Sequence, residues 1–176
     1  MNLWNAFVAF LGLTSGALAN GFPNGKCYDR KCESNPYDLR LATQTGIDRN
    51  TTRFCFDLNV KRCRDTEYKC CSILSADLPK IVFKTKQRCL KAVAEVTVGG
   101  KPKKGGVYFD EYPTHSELRV TALRGLNTTV PLEARRVCLT LRRPCHTMKK
   151  FCGANKNCKY AMWEVTKHEC CPTCSL

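Results

Sequence analysis

Fourteen cysteines in a chain of 176 residues limit the fold more than any other feature. They are Cys27, Cys32, Cys55, Cys63, Cys70, Cys71, Cys89, Cys138, Cys145, Cys152, Cys158, Cys170, Cys171 and Cys174. This density is that of a disulfide scaffold, and disulfides persist in oxidising compartments rather than the cytosol. The even count allows seven bridges, but spacing alone does not say which cysteines pair. Half of the cysteines fall after residue 137, too close together to leave room for a long helix. Two pairs are vicinal, Cys70-Cys71 and Cys170-Cys171. A bond between neighbours would strain the peptide that joins them, so each cysteine is expected to reach its own partner. A vicinal pair then pins two other segments to one point.

The start of the chain agrees with export. Residues 1–19 carry no charged side chain, hold an apolar run over 4–13, and end in Ala17-Leu18-Ala19, a small-residue site of the kind signal peptidase cleaves. The run is short for a bilayer span, and no later stretch is apolar for long enough to cross a membrane. The expectation is a signal peptide over 1–19, followed by a single domain over 20–176, large enough to bury a core of its own.

Strand periodicity dominates that domain. Phe54, Phe56, Leu58 and Val60 alternate with Cys55, Asp57 and Asn59 and share one face of a strand. Val137, Leu139 and Leu141 do the same around Cys138 and Thr140. Residues 80–83, 92–98, 107–109 and 117–123 read as further short strands. A turn at Asn35-Pro36 leads into a short extended piece ending near Leu41. Residues 46–50 and the glycine-rich, basic segment 99–106 read as loops, as does the surrounding of His115. One short helix is expected within 144–152. Short strands with Gly and Pro punctuation indicate an all-β, sandwich-like, disulfide-rich domain with at most one or two short helices. Asn50-Thr51-Thr52 and Asn127-Thr128-Thr129 each precede a cysteine-bearing strand, a weak internal echo read as coincidence rather than duplication.

The order of landmarks carries a resemblance. Phe22-Pro23 with Cys27, Asn35-Pro36-Tyr37, Phe54-Cys55-Phe56, Cys63, Cys70-Cys71, the segment from Leu78 to Phe83 and Cys89 occur in succession. Val96-Thr97-Val98-Gly99-Gly100, the strand around Cys138, Cys145, Cys152, Cys158-Lys159-Tyr160-Ala161 and Cys170-Cys171-Pro172 follow. This pattern resembles the pherophorin domain of volvocine algal extracellular-matrix glycoproteins, and it covers nearly all of residues 22–174. The resemblance implies a secreted, glycosylated, disulfide-bonded matrix component. Family members typically carry two such domains joined by a hydroxyproline-rich rod, whereas this sequence has one domain and no rod.

Candidate chemistry is sparse. Asn50 and Asn127 head N-x-[ST] triplets and are expected to carry N-glycans. Cys171 and Cys174 form a C-x-x-C, which in other settings serves zinc or redox chemistry; in an exported chain structural disulfides are the expected use. His115, His146 and His168 could be imagined as a two-histidine acid–base device, but nothing in the sequence gathers them. Adjacent Asp110 and Glu111 would face opposite sides of a strand and make a poor glycosidase pair. No nucleophile elbow, zincin motif or phosphate-binding loop is present. The expectation is a protein that is not an enzyme and binds no metal or other cofactor.

The charge is the remaining signal. Lys and Arg number 29 against 15 acidic residues, a net charge of +14. Outside a cell such a protein is expected to meet acidic or sulfated matrix polysaccharides and other matrix glycoproteins, rather than nucleic acid. Lys101, Lys103, Lys104, Arg142, Arg143, Lys149 and Lys150 are the candidate anionic-glycan contacts. The reading is a secreted structural or glycan-binding component of an algal extracellular matrix or cell wall. A diffusible or cell-surface signalling ligand is the alternative, and a secreted hydrolase the third.

Overall fold

The computed structural model describes residues 21–61, 69–76, 78, 80–126, 129–153, 158–164 and 169–176. The expected signal peptide, Cys63, Asn127 and His168 lie outside the described residues. Ten strands form two five-stranded antiparallel sheets. The first runs β1 (Tyr37–Asp48), β2 (Thr51–Val60), β8 (Arg136–Arg142), β4 (Val93–Val98) and β5 (Lys101–Pro102) across the sheet. The second runs β10 (Thr173–Ser175), β9 (Lys159–Trp163), β3 (Lys80–Thr85), β7 (His115–Thr121) and β6 (Val107–Tyr112). Two short α-helices, α1 (Lys69–Ala76) and α2 (Met148–Cys152), and three single 3-10 turns, Cys32–Ser34, Gln87–Cys89 and Glu133–Arg135, complete the described elements. The architecture is all-β.

The period-two pattern explains how the sheets face each other. In register, Phe54 stands opposite Leu139 and Phe56 opposite Val137, so two alternating strands present one apolar face. Ile81 and Phe83 of β3, Leu118 and Val120 of β7, and Tyr160 and Met162 of β9 supply the facing layer. The Phe56 and Phe83 rings meet at 5.9 Å. Each such side chain contributes roughly 1.5–3 kcal/mol on full burial. A second, smaller cluster lies on the other face of the second sheet, where Val82, Ala161, Trp163 and Cys171 pack against Phe22 and Cys27. The segment before β1 therefore covers the outside of a sheet.

Several elements depart from the sequence reading. The extended piece beginning at Tyr37 runs on to Asp48 rather than stopping near Leu41. Gly46 belongs to that strand, so the expected 46–50 loop shrinks to a tight turn at Arg49-Asn50. Pairing with the strongly alternating β2 holds β1 extended against its own weak signal, with irregularities between Leu41 and Thr43 and between Gly46 and Asp48. The 99–106 segment contains the two-residue strand β5. His115 opens β7 and is no loop residue. Helix α2 lies within the expected 144–152 segment, its preceding Thr147 hydroxyl accepting the Lys150 N–H at 3.2 Å. Helix α1, strand β9 and strand β10 had no counterpart in the reading.

Six disulfides join described residues: Cys27–Cys171, Cys32–Cys174, Cys55–Cys138, Cys70–Cys170, Cys89–Cys145 and Cys152–Cys158. Cys71 is also disulfide-bonded. Cys55 and Cys138 are direct cross-strand partners. The vicinal Cys170 and Cys171 reach different segments, α1 and the loop before β1. Together with Cys174 they make a ladder of three bridges. Two of them, Cys27–Cys171 and Cys32–Cys174, bind the last residues to the first described ones, and the backbone joins in through Tyr28 N–H to Glu169 O and Cys171 N–H to Asp29 O.

Candidate functional site

Lys and Arg side chains converge at one end of the sandwich. The β1–β2 turn places Arg49 and Asn50 there, and the Arg143 N–H donates to the Asn50 carbonyl at 3.0 Å. Arg142 ends β8, its Nε donating to the Lys91 carbonyl at 3.2 Å. The Cys89–Cys145 bridge then ties the 86–92 segment to the chain that follows β8. Helix α2 closes the group, its Phe151 carbonyl accepting the Lys86 N–H at 3.0 Å. Arg49, Lys86, Arg88, Lys91, Arg142, Arg143, Lys149 and Lys150 thus share one pole. All but the half-buried Lys86 are exposed.

An open groove of about 560 Å³ runs across this pole, lined by Asp48, Arg49, Asn50, Thr51, Arg142 and Arg143. Three guanidinium groups face one carboxylate, and that carboxylate already accepts the Asn50 N–H at 2.6 Å. Acids on the neighbouring sheet face are engaged elsewhere: Asp57 with Arg136 at 2.7 Å and Glu95 with Arg53 at 2.5 Å. The arrangement offers forked donors and ammonium groups that match sulfate or carboxylate.

Of the seven cations singled out from sequence, the structure gathers Arg142, Arg143, Lys149 and Lys150 at this pole. It puts Lys101, Lys103 and Lys104 at the other end. Val98 pairs with Val137 and Val93 with Leu141, so β8 separates the two groups by about 20 Å at strand rise. The second group lines a groove of about 370 Å³ with Arg124, Val98, Leu123 and Leu126, and Lys103 Nζ is held by the Ala122 carbonyl at 3.2 Å. Sequence reading missed Arg49, Lys86, Arg88 and Lys91. The basic density of residues 84–91 was the available signal, but only the Cys89–Cys145 pairing shows where it goes.

Asn50 is exposed at the tip of its turn, beside the arginine-lined groove. The C-x-x-C is divided between two bridges, since Cys171 bonds Cys27 and Cys174 bonds Cys32. His115 is buried under the segment before β1. Its ring nitrogens lie 3.1 Å from the Thr114 hydroxyl and 3.2 Å from Glu117 Oε1, with Phe22 edge-on at 6.0 Å and Tyr112 at 5.3 Å. Glu117, equally buried, also accepts the Asn24 N–H at 2.7 Å. The pair fastens a loop to a sheet, with both side chains 3% exposed. Asp110 is spent on Arg119 while Glu111 is exposed, so these two do face opposite ways. Nearby, Lys80 Nζ sits 4.1 Å above the Trp163 ring, and burial together with Arg119 lowers the ammonium pKa from its ordinary value.

The Pherophorin family model matches residues 22–172. No curated protein matches the chain. A solved structure, ACE19, the collagen-binding subdomain of the Enterococcus faecalis surface protein ACE, aligns at 11% identity with a TM-score of 0.31, covering 80% of this chain and 92% of that one. A superposition that loose carries no argument. The family match takes in both sheets up to the last short strand, and on that ground the chain belongs to the Pherophorin family, whose members are components of the extracellular matrix.

Proposed function

We propose that this protein is a secreted, non-enzymatic component of an algal extracellular matrix that attaches to acidic or sulfated polysaccharide through its basic pole. One observation carries the reading: eight cationic side chains, from three segments distant in sequence, are brought to one end of the sandwich by a turn, a disulfide and a helix. A polyanion passing over this end would meet a fixed array rather than scattered surface charge. Residues 1–19 are taken as a cleaved leader, residues 20–176 as one domain, and Asn50 and Asn127 as glycan carriers. Further matrix glycoproteins would be its protein partners.

The test is salt elution from heparin and from polygalacturonate. Wild-type protein should be retained at low salt, since attraction between exposed charges weakens as ionic strength shortens the screening length. The R142E/R143E and K86E/R88E variants should elute at clearly lower salt. K101E/K103E/K104E, at the opposite end, should elute close to wild type. Flow-through of the wild type, or equal losses for all three variants, would refute attachment at this pole.

A further inference from the structure

Among the described residues no strand lies against the outer edge of β1, and its sequence is complementary to itself. β1 is the terminal strand of the first sheet. Its residues from Arg40 to Asp48 are all exposed. Two of the exposed large apolar side chains of the protein, Leu41 at 49% and Ile47 at 55%, stand on this stretch. Edge strands usually carry a lysine, a proline or dense charge that keeps other chains away. Residues 41–47, Leu-Ala-Thr-Gln-Thr-Gly-Ile, carry none of these.

Now let the strand meet a second copy, antiparallel, with Gln44 opposite Gln44. Arg40 then falls opposite Asp48, Leu41 opposite Ile47, Ala42 opposite Gly46, and Thr43 opposite Thr45. Each contact occurs twice about the two-fold axis, as a closed isologous interface requires. The faces agree as well. Within the protomer Arg40, Thr43, Thr45 and Asp48 pair with Asp57, Cys55, Arg53 and Thr51, which alternate along one face of β2. The cross-strand ion pair and the threonine pair would therefore lie on the same side of the joined sheet. The opposite charges at the ends and the two apolar residues just inside them specify one register and one orientation.

We propose that β1 is a homodimerisation edge: two copies add strand to strand in antiparallel register centred on Gln44, joining their first sheets into one. Backbone hydrogen bonds supply the attachment, and the Arg40–Asp48 and Leu41–Ile47 pairs supply the register.

Sedimentation velocity of the oxidised full-length mature chain, over a dilution series from low to high micromolar, tests this. The wild type should show a reversible dimer. L41K should remain monomeric under the same conditions. R40D and D48R should each weaken association by about tenfold or more, through like charges placed opposite each other. The double variant R40D/D48R restores opposite charges and should recover the dimer. Unchanged thermal unfolding confirms that each variant folds. Should D48R disturb the turn through its lost Asn50 contact, Q44R, which sets two cations on the axis, serves in its place and should abolish the dimer. Backbone amides of residues 40–48 should exchange more slowly with deuterium at high protein concentration. A wild type that stays monomeric throughout, a dimer indifferent to L41K and R40D, or a double variant no better than the singles would overturn the proposal.

Discussion

The backbone N–H of Leu39 donates to the hydroxyl of Tyr160 at 3.2 Å, a hydrogen bond that crosses from one sheet to the other. Leu39 lies on β1, the edge of the first sheet, and Tyr160 on β9 of the second; both are buried. At an edge strand this donor has few alternatives. The phenol thus satisfies a backbone group while its ring fills the core. Burial pushes its pKa above the ordinary tyrosine value.

Tyr160→Phe keeps the ring and orphans the Leu39 N–H, which should cost about 1–3 kcal/mol in urea unfolding under non-reducing conditions. The variant should also change the alkaline limb. Below about pH 10 the phenol is protonated in both the folded and unfolded chain, so it adds no slope. Above that, the unfolded chain releases its proton first, and stability falls with rising pH. The phenylalanine variant should lack this fall. Lys80 acts in the opposite sense in both proteins: its depressed ammonium pKa means the folded chain loses that proton first, so its contribution rises with pH up to the ordinary lysine value.

Glu117→Ala should release the segment before β1. The carboxylate holds the partly buried Asn24 N–H at 2.7 Å and faces the buried His115 Nε2 at 3.2 Å, so its loss takes a partner from each. A destabilisation of about 1–3 kcal/mol is expected. Protease cleavage within residues 21–26 should accelerate, while cleavage elsewhere should not.

The bridge ladder should behave cooperatively. With Cys32–Cys174 intact, breaking Cys27–Cys171 opens only the small ring formed by residues 27–32 and 171–174. Replacing either cysteine pair by serines should therefore cost about 2–3 kcal/mol, well below what a loop spanning most of the chain would give. Replacing both pairs should cost more than the sum, because the large loop then opens. Chemical denaturation of the two single-bridge variants and the double-bridge variant measures the coupling; strict additivity would contradict it.

Gly25→Ala should loosen the outer cluster. Gly25 has φ of +142°, and a Cβ there would stand 2.8 Å from Trp163 Cη2. The strained backbone and displaced indole together should cost about 1–3 kcal/mol, and Trp163 emission should shift to the red as its ring separates from Phe22 and Lys80.

What was legible in the sequence was whatever a strand writes locally. Phe54, Phe56 and Leu58, and Val137, Leu139 and Leu141, alternate because one face of each strand meets the other sheet. β1 beyond Leu41 was illegible because it buries nothing there: a strand exposed on both sides needs no pattern, and Gly46 reads as a break. Helix α1 is eight residues long and fixed through Cys70 and the buried Leu74, a single i, i+4 pair too short to read as a helical pattern. The basic pole was half visible. Arg142, Arg143, Lys149 and Lys150 are close in sequence, but their union with Lys86, Arg88 and Lys91 follows from Cys89–Cys145, and pairing is what spacing cannot give. The same blindness grouped Lys101, Lys103 and Lys104 with cations that lie a full strand length away.

The two bridges between residues 27–32 and 171–174 also decide how the domain would carry load. A pull entering near Cys27 and leaving near Cys174 meets covalent cross-links immediately, because those two regions are bonded to each other. Tension passes from end to end through sulfur–sulfur bonds and a few residues of backbone. The sheets hang beside that path as a slack loop, so they are not peeled apart strand by strand. Under such a pull, the folded body would keep its shape while the bridged segments bear the stress.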